Sequence, residues 1–179
     1  MRVIAGTLKG RRLKAPSWEG LRPTSDKLRE TLFNILAPRI GGARVLDGYA
    51  GTGALGIEAL SRGASHVTFV EQDRRAQTLI AENLAQCRVA NGYAIIRAGV
   101  VRALEELRGS PFDIVLLDPP YDVQAESVLA AAAEVLAPGG VLVLEHARRR
   151  GAPAGAGPLV RSRMVTSGDS ALAFYQRAV

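Results

Sequence analysis

The chain has 179 residues, enough for one domain with a sizeable core, and with 47% hydrophobic but only 5% aromatic residues that core must be aliphatic. A single cysteine, Cys87, excludes an internal disulfide and a multi-cysteine zinc site, and His66 and His146 stand apart from acidic motifs, so no metal is expected. The formal charge of +6 is uneven: residues 1–44 hold ten Lys and Arg against three acids, the footprint of a nucleic-acid binder or else an ordinary solvated basic face.

In chain order, "RVIAG" and "RRLKA" alternate on either side of "TLKG", which predicts a β-hairpin over residues 2–15 carrying Arg2, Lys9, Arg11 and Arg12. "PSWEGLRP" reads as a loop. Thr24 or Ser25 then caps a helix in which Leu28, Leu32, Ile35 and Leu36 recur at helical spacing until Pro38 stops it. Residues 1–40 are too few to hold a core of their own, and they are expected to form a basic extension laid against a domain spanning 41–179.

From Ala43 the rhythm becomes strand then helix. Strands are predicted near 43–47, 66–71, 93–97, 112–117 and 140–146, and helices near 53–62, 73–87, 100–108 and 122–137. This alternation implies an α/β fold with right-handed crossovers and a mostly parallel sheet covered on both faces. "RRRGAPAGAGP", residues 148–158, predicts a mobile loop, and "PLVRSRMVT" and "SALAFYQR" around "SGD" predict a closing antiparallel hairpin, giving seven strands in all. Nothing at the N-terminus resembles a signal peptide and no apolar run approaches the about 20 residues of a bilayer span, so a soluble, cytoplasmic chain is expected.

"VLDGYAGTGALG", residues 45–56, follows the first core strand and opens a helix. Gly51, Gly53 and Gly56 satisfy G-x-G-x-x-G, and Glu71 ends the next strand, where its carboxylate suits the hydroxyls of a ribose. The pattern admits several nucleotide-like ligands. Asp47 narrows them, because a carboxylate at this strand end repels a pyrophosphate and attracts an ammonium group. S-adenosylmethionine has an ammonium, a ribose and no phosphate; Asp47 could instead cap the following turn.

"FDIVLLDPPYD", residues 112–122, has the apolar run of a buried parallel strand, and Pro119 cannot continue its ladder. Asp118 therefore stands at a carboxyl end, where open α/β sheets bind ligands. An exocyclic amine on a base is a poor nucleophile, since its lone pair is delocalised into the ring. The Asp118 carboxylate and the Pro119 carbonyl, both accepting its hydrogens, would aim that lone pair at a methyl donor, with Pro120 fixing the backbone. Tyr121 offers a face for the base to stack on, worth about 1–3 kcal/mol, against the few kcal/mol needed to extrude a paired base.

At these residues the chain resembles the S-adenosylmethionine-dependent methyltransferases of planar amino groups, which carry (D/N/S)-P-P-(Y/F) after a G-x-G loop. More narrowly, "RVIAGTLKGRRL", "LRPTSDKLRETLFNIL", "LDGYAGTGALGIEALSRGA" and "FDIVLLDPPYD" are similar to the bacterial 16S ribosomal RNA guanine-N2 methyltransferase family, and the likeness runs to the terminal "YQR". The resemblance implies a Rossmann-like methyltransferase fold and methylation of the N2 amine of one guanosine in 16S rRNA, within the small subunit or an assembly intermediate. It also implies that Asp47, Gly51, Gly53 and Glu71, with Asp118 beside them, hold the methyl donor, and that Asp118, Pro119, Pro120 and Tyr121 hold the base. Arg22, Pro23, Thr24 and Arg29 are implied to lie near the active-site mouth and engage RNA. The helix face bearing Arg29 and Glu30 could equally form an internal ion pair. In "RAGVVRAL" many relatives offer adenine a polar side chain where this chain has Gly99, so the backbone of Gly99 or Val100 is expected to substitute. A monomer is expected. The rival readings are a DNA adenine-N6 methyltransferase, a protein-glutamine methyltransferase, a nicotinamide dehydrogenase and a silent RNA-binding protein. Asp47 with "DPPY" speaks against the dehydrogenase, and an intact clamp speaks against silence.

Overall fold

The computed structural model describes all 179 residues. Strands β1 (Arg44–Gly48), β2 (His66–Val70), β3 (Tyr93–Ile96), β4 (Phe112–Leu117) and β5 (Leu136–Ala147) run parallel. Strands β6 (Gly155–Ala156), β7 (Leu159–Ser167) and β8 (Ser170–Arg177) are added antiparallel, each to its neighbour, in one eight-stranded sheet of order β3-β2-β1-β4-β5-β8-β7-β6. The helices are α1 (Asp26–Ile40), α2 (Ala54–Ser61), α3 (Arg74–Gln86), α4 (Val100–Glu106) and α5 (Ala125–Ala133).

Alternate residues of each strand face opposite helical layers, as the period of a pleated strand requires. Val45, Val67, Phe69, Ile114, Leu116, Val143 and Phe174 pack in one apolar cluster with α1, α2 and α3. Leu46, Val70, Val115, Leu117, Leu142, Leu144 and Tyr175 pack in the other with α4 and α5. Successive strands run outward from β1 to β3 on one side, then return to β4 on the other. The sheet thus reverses direction between β1 and β4, and the register sets Gly48 beside Leu117 at their carboxyl ends. A crevice at such a reversal is where ligands enter doubly wound sheets. No helix is long and apolar enough to cross a membrane.

The first 40 residues have no core of their own. Val3, Leu13, Leu28, Leu32, Phe33, Leu36 and Ile40 belong to the same cluster as β1 and β2. The expected hairpin is short: around the antiparallel bridge of Arg2 to Arg12, the Val3 amide bonds the Arg11 carbonyl, the Gly10 amide the Val3 carbonyl and the Leu13 amide the Met1 carbonyl, each at 2.9 Å. Other donors turn to α2: Glu58 accepts from the amides of Ile4 at 2.8 Å and Ala5 at 3.1 Å, and Ser61 Oγ accepts from that of Leu8 at 2.9 Å. From α3, Asn83 bonds both the amide and the carbonyl of Lys14.

Ser25 caps α1, its hydroxyl accepting from the Leu28 amide, but Pro38 does not end the helix, which runs to Ile40. Pro38 sits in the last turn, where the carbonyl it leaves free, that of Asn34, lies on the exposed side and is open to water. The predicted mobile loop is also structured. Arg148–Arg150 form a 3-10 turn, and Gly155–Ala156 supply the eighth strand, pairing with β7 where seven strands were expected. Low side-chain content hid this edge strand, because its partner and the Tyr175 hydroxyl, bonded to the Pro153 carbonyl at 2.8 Å, supply the order. Cys87 is fully buried at the end of α3, and its carbonyl accepts from Arg11 Nη1 at 2.8 Å.

Candidate active site

The loop between β1 and α2 is fastened from three elements. Glu71, just beyond β2, accepts from the Gly51 amide through one carboxylate oxygen and from the Asp73 amide through the other, both at 2.9 Å. Asp47, in β1, accepts from the Gly56 amide at 2.9 Å, and Asn83 donates to the Thr52 carbonyl at 2.9 Å. Gly51 and Gly53 take φ of +58° and +80°, the left-handed region that glycine enters without a Cβ clash. Gly56 is required for a different reason: a Cβ there would lie 2.2 Å from the Phe69 ring, so its bare backbone lets α2 lie flat on β2. Glu71 thus holds the loop it was expected to serve, half-buried at the ligand edge.

A small cleft opens beside this loop, lined by Leu21, Arg22, Pro23, Thr24, Asp47, Tyr49, Gly51, Thr52 and Asp118 among others. The glycine loop, the end of β4 and the "LRPT" segment therefore meet. Asp118 is mostly buried and accepts no hydrogen bond from the protein, so its lone pairs are free for a ligand. Burial, and then the neighbouring Glu145 and Asp47, push the Asp118 carboxyl well above the ordinary carboxylate range. Asp47 is pushed up to about 8 by burial, against the lowering effect of the Gly56 amide and with a further rise from Glu71. Glu145, at the end of β5, is raised by burial, while Thr24 Oγ1 donates to it at 2.6 Å and draws it back down.

Asp47 and Asp118 line the cleft with Arg22 as its only cationic lining residue, and with Glu145 beside Asp118 their ionisation is opposed by a phosphate and favoured by a cation. They fit a ligand bearing a sulfonium and an ammonium charge, with a ribose reaching Glu71. The site residues thus suit S-adenosylmethionine, which when bound supplies an electrophilic methyl group. A cation there favours the ionised carboxyls, so its binding and their deprotonation are linked.

Tyr121 stands 62% exposed, three residues past Asp118 and beyond Pro119 and Pro120. Gly99 caps the start of α4 next to Val100, and a Cβ on Gly99 would lie 3.3 Å from Gln72 Oε1. A polar side chain is therefore present beside Gly99 after all, from the residue following Glu71. Two further residues at the site, Glu145 and Tyr49, were not expected from the sequence. Glu145 ends an apolar strand as Asp118 does, so the same signal was available. Tyr49 has φ of +60°, rare for a residue with a side chain, and no local pattern announces it. Burial and then Asp122 push its hydroxyl up to about 12.

The basic residues divide. Arg2, Lys9, Arg12 and Arg22 are exposed, and Arg22 and Thr24 line the cleft. Thr24 spends its hydroxyl on Glu145, and Arg11 is half-buried on the Cys87 carbonyl. Arg29 corrects the expectation: it is 0% exposed and bonds the Arg2 carbonyl at 2.6 Å and Asp26 at 2.9 Å, with Glu58 at 4.0 Å. Its partner is not Glu30 but Asp26 one turn earlier, with Glu58 across the α1–α2 interface. It is an internal ion pair rather than a surface charge.

Sheet order, glycine loop and the Asp-Pro-Pro-Tyr strand end together fit a methyltransferase of the doubly wound class. The chain belongs to the family described as Conserved hypothetical protein 95, whose model matches residues 1–176. It is 39% identical to "Putative rRNA methyltransferase YlbH" of Bacillus subtilis, over 99% of both chains. It is 45% identical to "Ribosomal RNA small subunit methyltransferase D" of Escherichia coli K12, over 68% of this chain and 60% of that protein. Among solved structures it resembles "Putative methyltransferase yhhF from Escherichia coli" with a TM-score of 0.86 and 37% identity, covering 99% of this chain and 97% of the other.

Proposed function

We propose that this protein transfers the methyl group of S-adenosylmethionine to the N2 amine of one guanine in 16S rRNA of the small ribosomal subunit. The observation that carries the reading is Asp118: a mostly buried carboxyl with no protein partner, facing the cleft at the reversal point, with Tyr121 exposed three residues on. Glu71 and the Gly51–Gly53 backbone hold the ribose side of the methyl donor, Asp47 its ammonium, and Gln72 with Gly99 and Val100 its adenine. Asp118 and the Pro119 carbonyl accept the two amine hydrogens, which frees the lone pair for in-line attack. Once the methyl is on nitrogen, the surplus proton leaves to Asp118, next to Glu145. Residues 1–40 act as the RNA-docking extension of the catalytic domain 41–179, through Arg2, Lys9, Arg12 and Arg22, on an assembled or assembling subunit in the cytoplasm and as a monomer.

The test is transfer of labelled methyl groups from S-adenosylmethionine to small subunits lacking the modification, followed by nucleoside analysis. Label in N2-methylguanosine is the expected result. Label only in N6-methyladenine of added DNA, or only in protein, would overturn the substrate while keeping the clamp.

A further inference from the structure

Arg150 makes two contacts with one residue. Its Nη1 donates to the Tyr121 carbonyl at 2.6 Å, and its guanidinium carbon lies 4.7 Å from the centroid of the Tyr121 ring. It joins no ion pair. The loop it touches has little else to hold it, since between Asp118 and the start of α5 the backbone makes one bond of its own, Val123 N–H to the Pro120 carbonyl at 3.1 Å.

We infer that Arg150 is the positioning residue that sets the Tyr121 ring for the target base, an inference that rests on Tyr121 being the base-stacking platform proposed above. The guanidinium covers one face of a ring that is still 62% exposed, so the opposite face is the open one. Arg150 is itself well seated. The Arg148 amide bonds the Asp169 carbonyl at 2.8 Å, the Gly151 amide bonds the Arg148 carbonyl at 3.3 Å, and Gly151 turns the chain with φ of +68°. The rigid end of β5 thus delivers a cation to the loose loop that follows β4. Only a planar fork can bond a carbonyl and lie over a ring at once; a lysine ammonium does one or the other. A ring already held in place loses no rotamer freedom when the base arrives, which favours stacking in the reactive pose.

A double-mutant cycle with a second, substrate-free readout tests this. In single-turnover transfer to unmodified small subunits, Arg150→Ala should lower the rate about tenfold, with Arg150→Lys intermediate. Adding Arg150→Ala to Tyr121→Ala should cost no more than about a further twofold, because Arg150 acts through the ring. In the free protein, Arg150→Ala should speed hydrogen exchange at the Val123 amide while β4 stays protected. Losses that multiply in the double variant would put Arg150 on the RNA instead, and unchanged exchange in Arg150→Ala would remove the tether; either overturns the inference. If the wild-type protein methylates no small subunit, the proposed substrate fails, and hydrogen exchange still decides whether Arg150 holds the loop.

Discussion

The two loops that meet in the cleft are built to opposite specifications. The loop after β1 is bonded by Glu71, Asp47 and Asn83 from three separate elements, and its glycines are buried. The loop after β4 has one internal backbone bond, one arginine tether and an exposed tyrosine. A small cofactor that is always the same can be met by a rigid, preformed cradle. A base that must leave its own stack is met by a short exposed loop that is tied down at one point, the tyrosine it presents.

The sharpest way to break this comparison is Asp118→Ala, which should cut methyl transfer about a thousandfold while cofactor affinity stays within about threefold. Calorimetry showing an equal loss of both would make Asp118 part of the cofactor cradle and erase the division. Next in size is Glu71→Ala, which strands the amides of Gly51 and Asp73 and removes the proposed ribose partner. Cofactor affinity should fall about 30-fold, as expected for losing a charged hydrogen bond, and the melting temperature should drop too. A normal dissociation constant would leave Glu71 with a purely structural task.

Asp47 sharpens the contrast through pH. Its folded value of about 8 stands above the ordinary 3.8, so the folded chain keeps a proton that the unfolded chain has released. Stability therefore falls as pH rises between those values and levels off above them. Cofactor affinity moves the other way, rising toward pH 8 with release of a proton. Asp47→Asn keeps an acceptor for the Gly56 amide and should shrink the stability slope by up to about 1.4 kcal/mol per pH unit. Asp118 and Glu145 maintain a residual slope. Urea melts from pH 5 to 9 measure it, and an unchanged slope would mean Asp47 is ionised in the fold. The smallest effect is expected from Lys9→Ala with Arg12→Ala: little change in stability, and a log–log salt dependence of subunit binding shallower by about 1.5.

Much of this was legible locally. The glycine spacing, the proline pair after a buried strand and the Thr24–Ser25 cap position each carry their own chemistry within a few residues, so the glycine loop, the strand end at Asp118 and the alternation of parallel strands and helices follow from short stretches. What could not be read depends on partners far along the chain. Arg29 looked like a surface charge because Glu58 lies across an interface. Thr24 looked like an RNA contact because Glu145 is 121 residues away. The hairpin forms, but its docking on α2 through the amides of Ile4 and Ala5 is something no strand periodicity in residues 2–15 reveals. Arg150 was read as part of a loose loop, since the Tyr121 ring beneath it is 29 residues distant.

The lone cysteine has a practical side. Burial raises the Cys87 thiol and keeps it from solvent, so the exterior of the wild-type protein carries no reactive sulfur. A thiol introduced at Lys9 or Arg149, both exposed, would then be the single target for maleimide chemistry, and a reporter dye could be fixed at either surface position without first deleting a native residue.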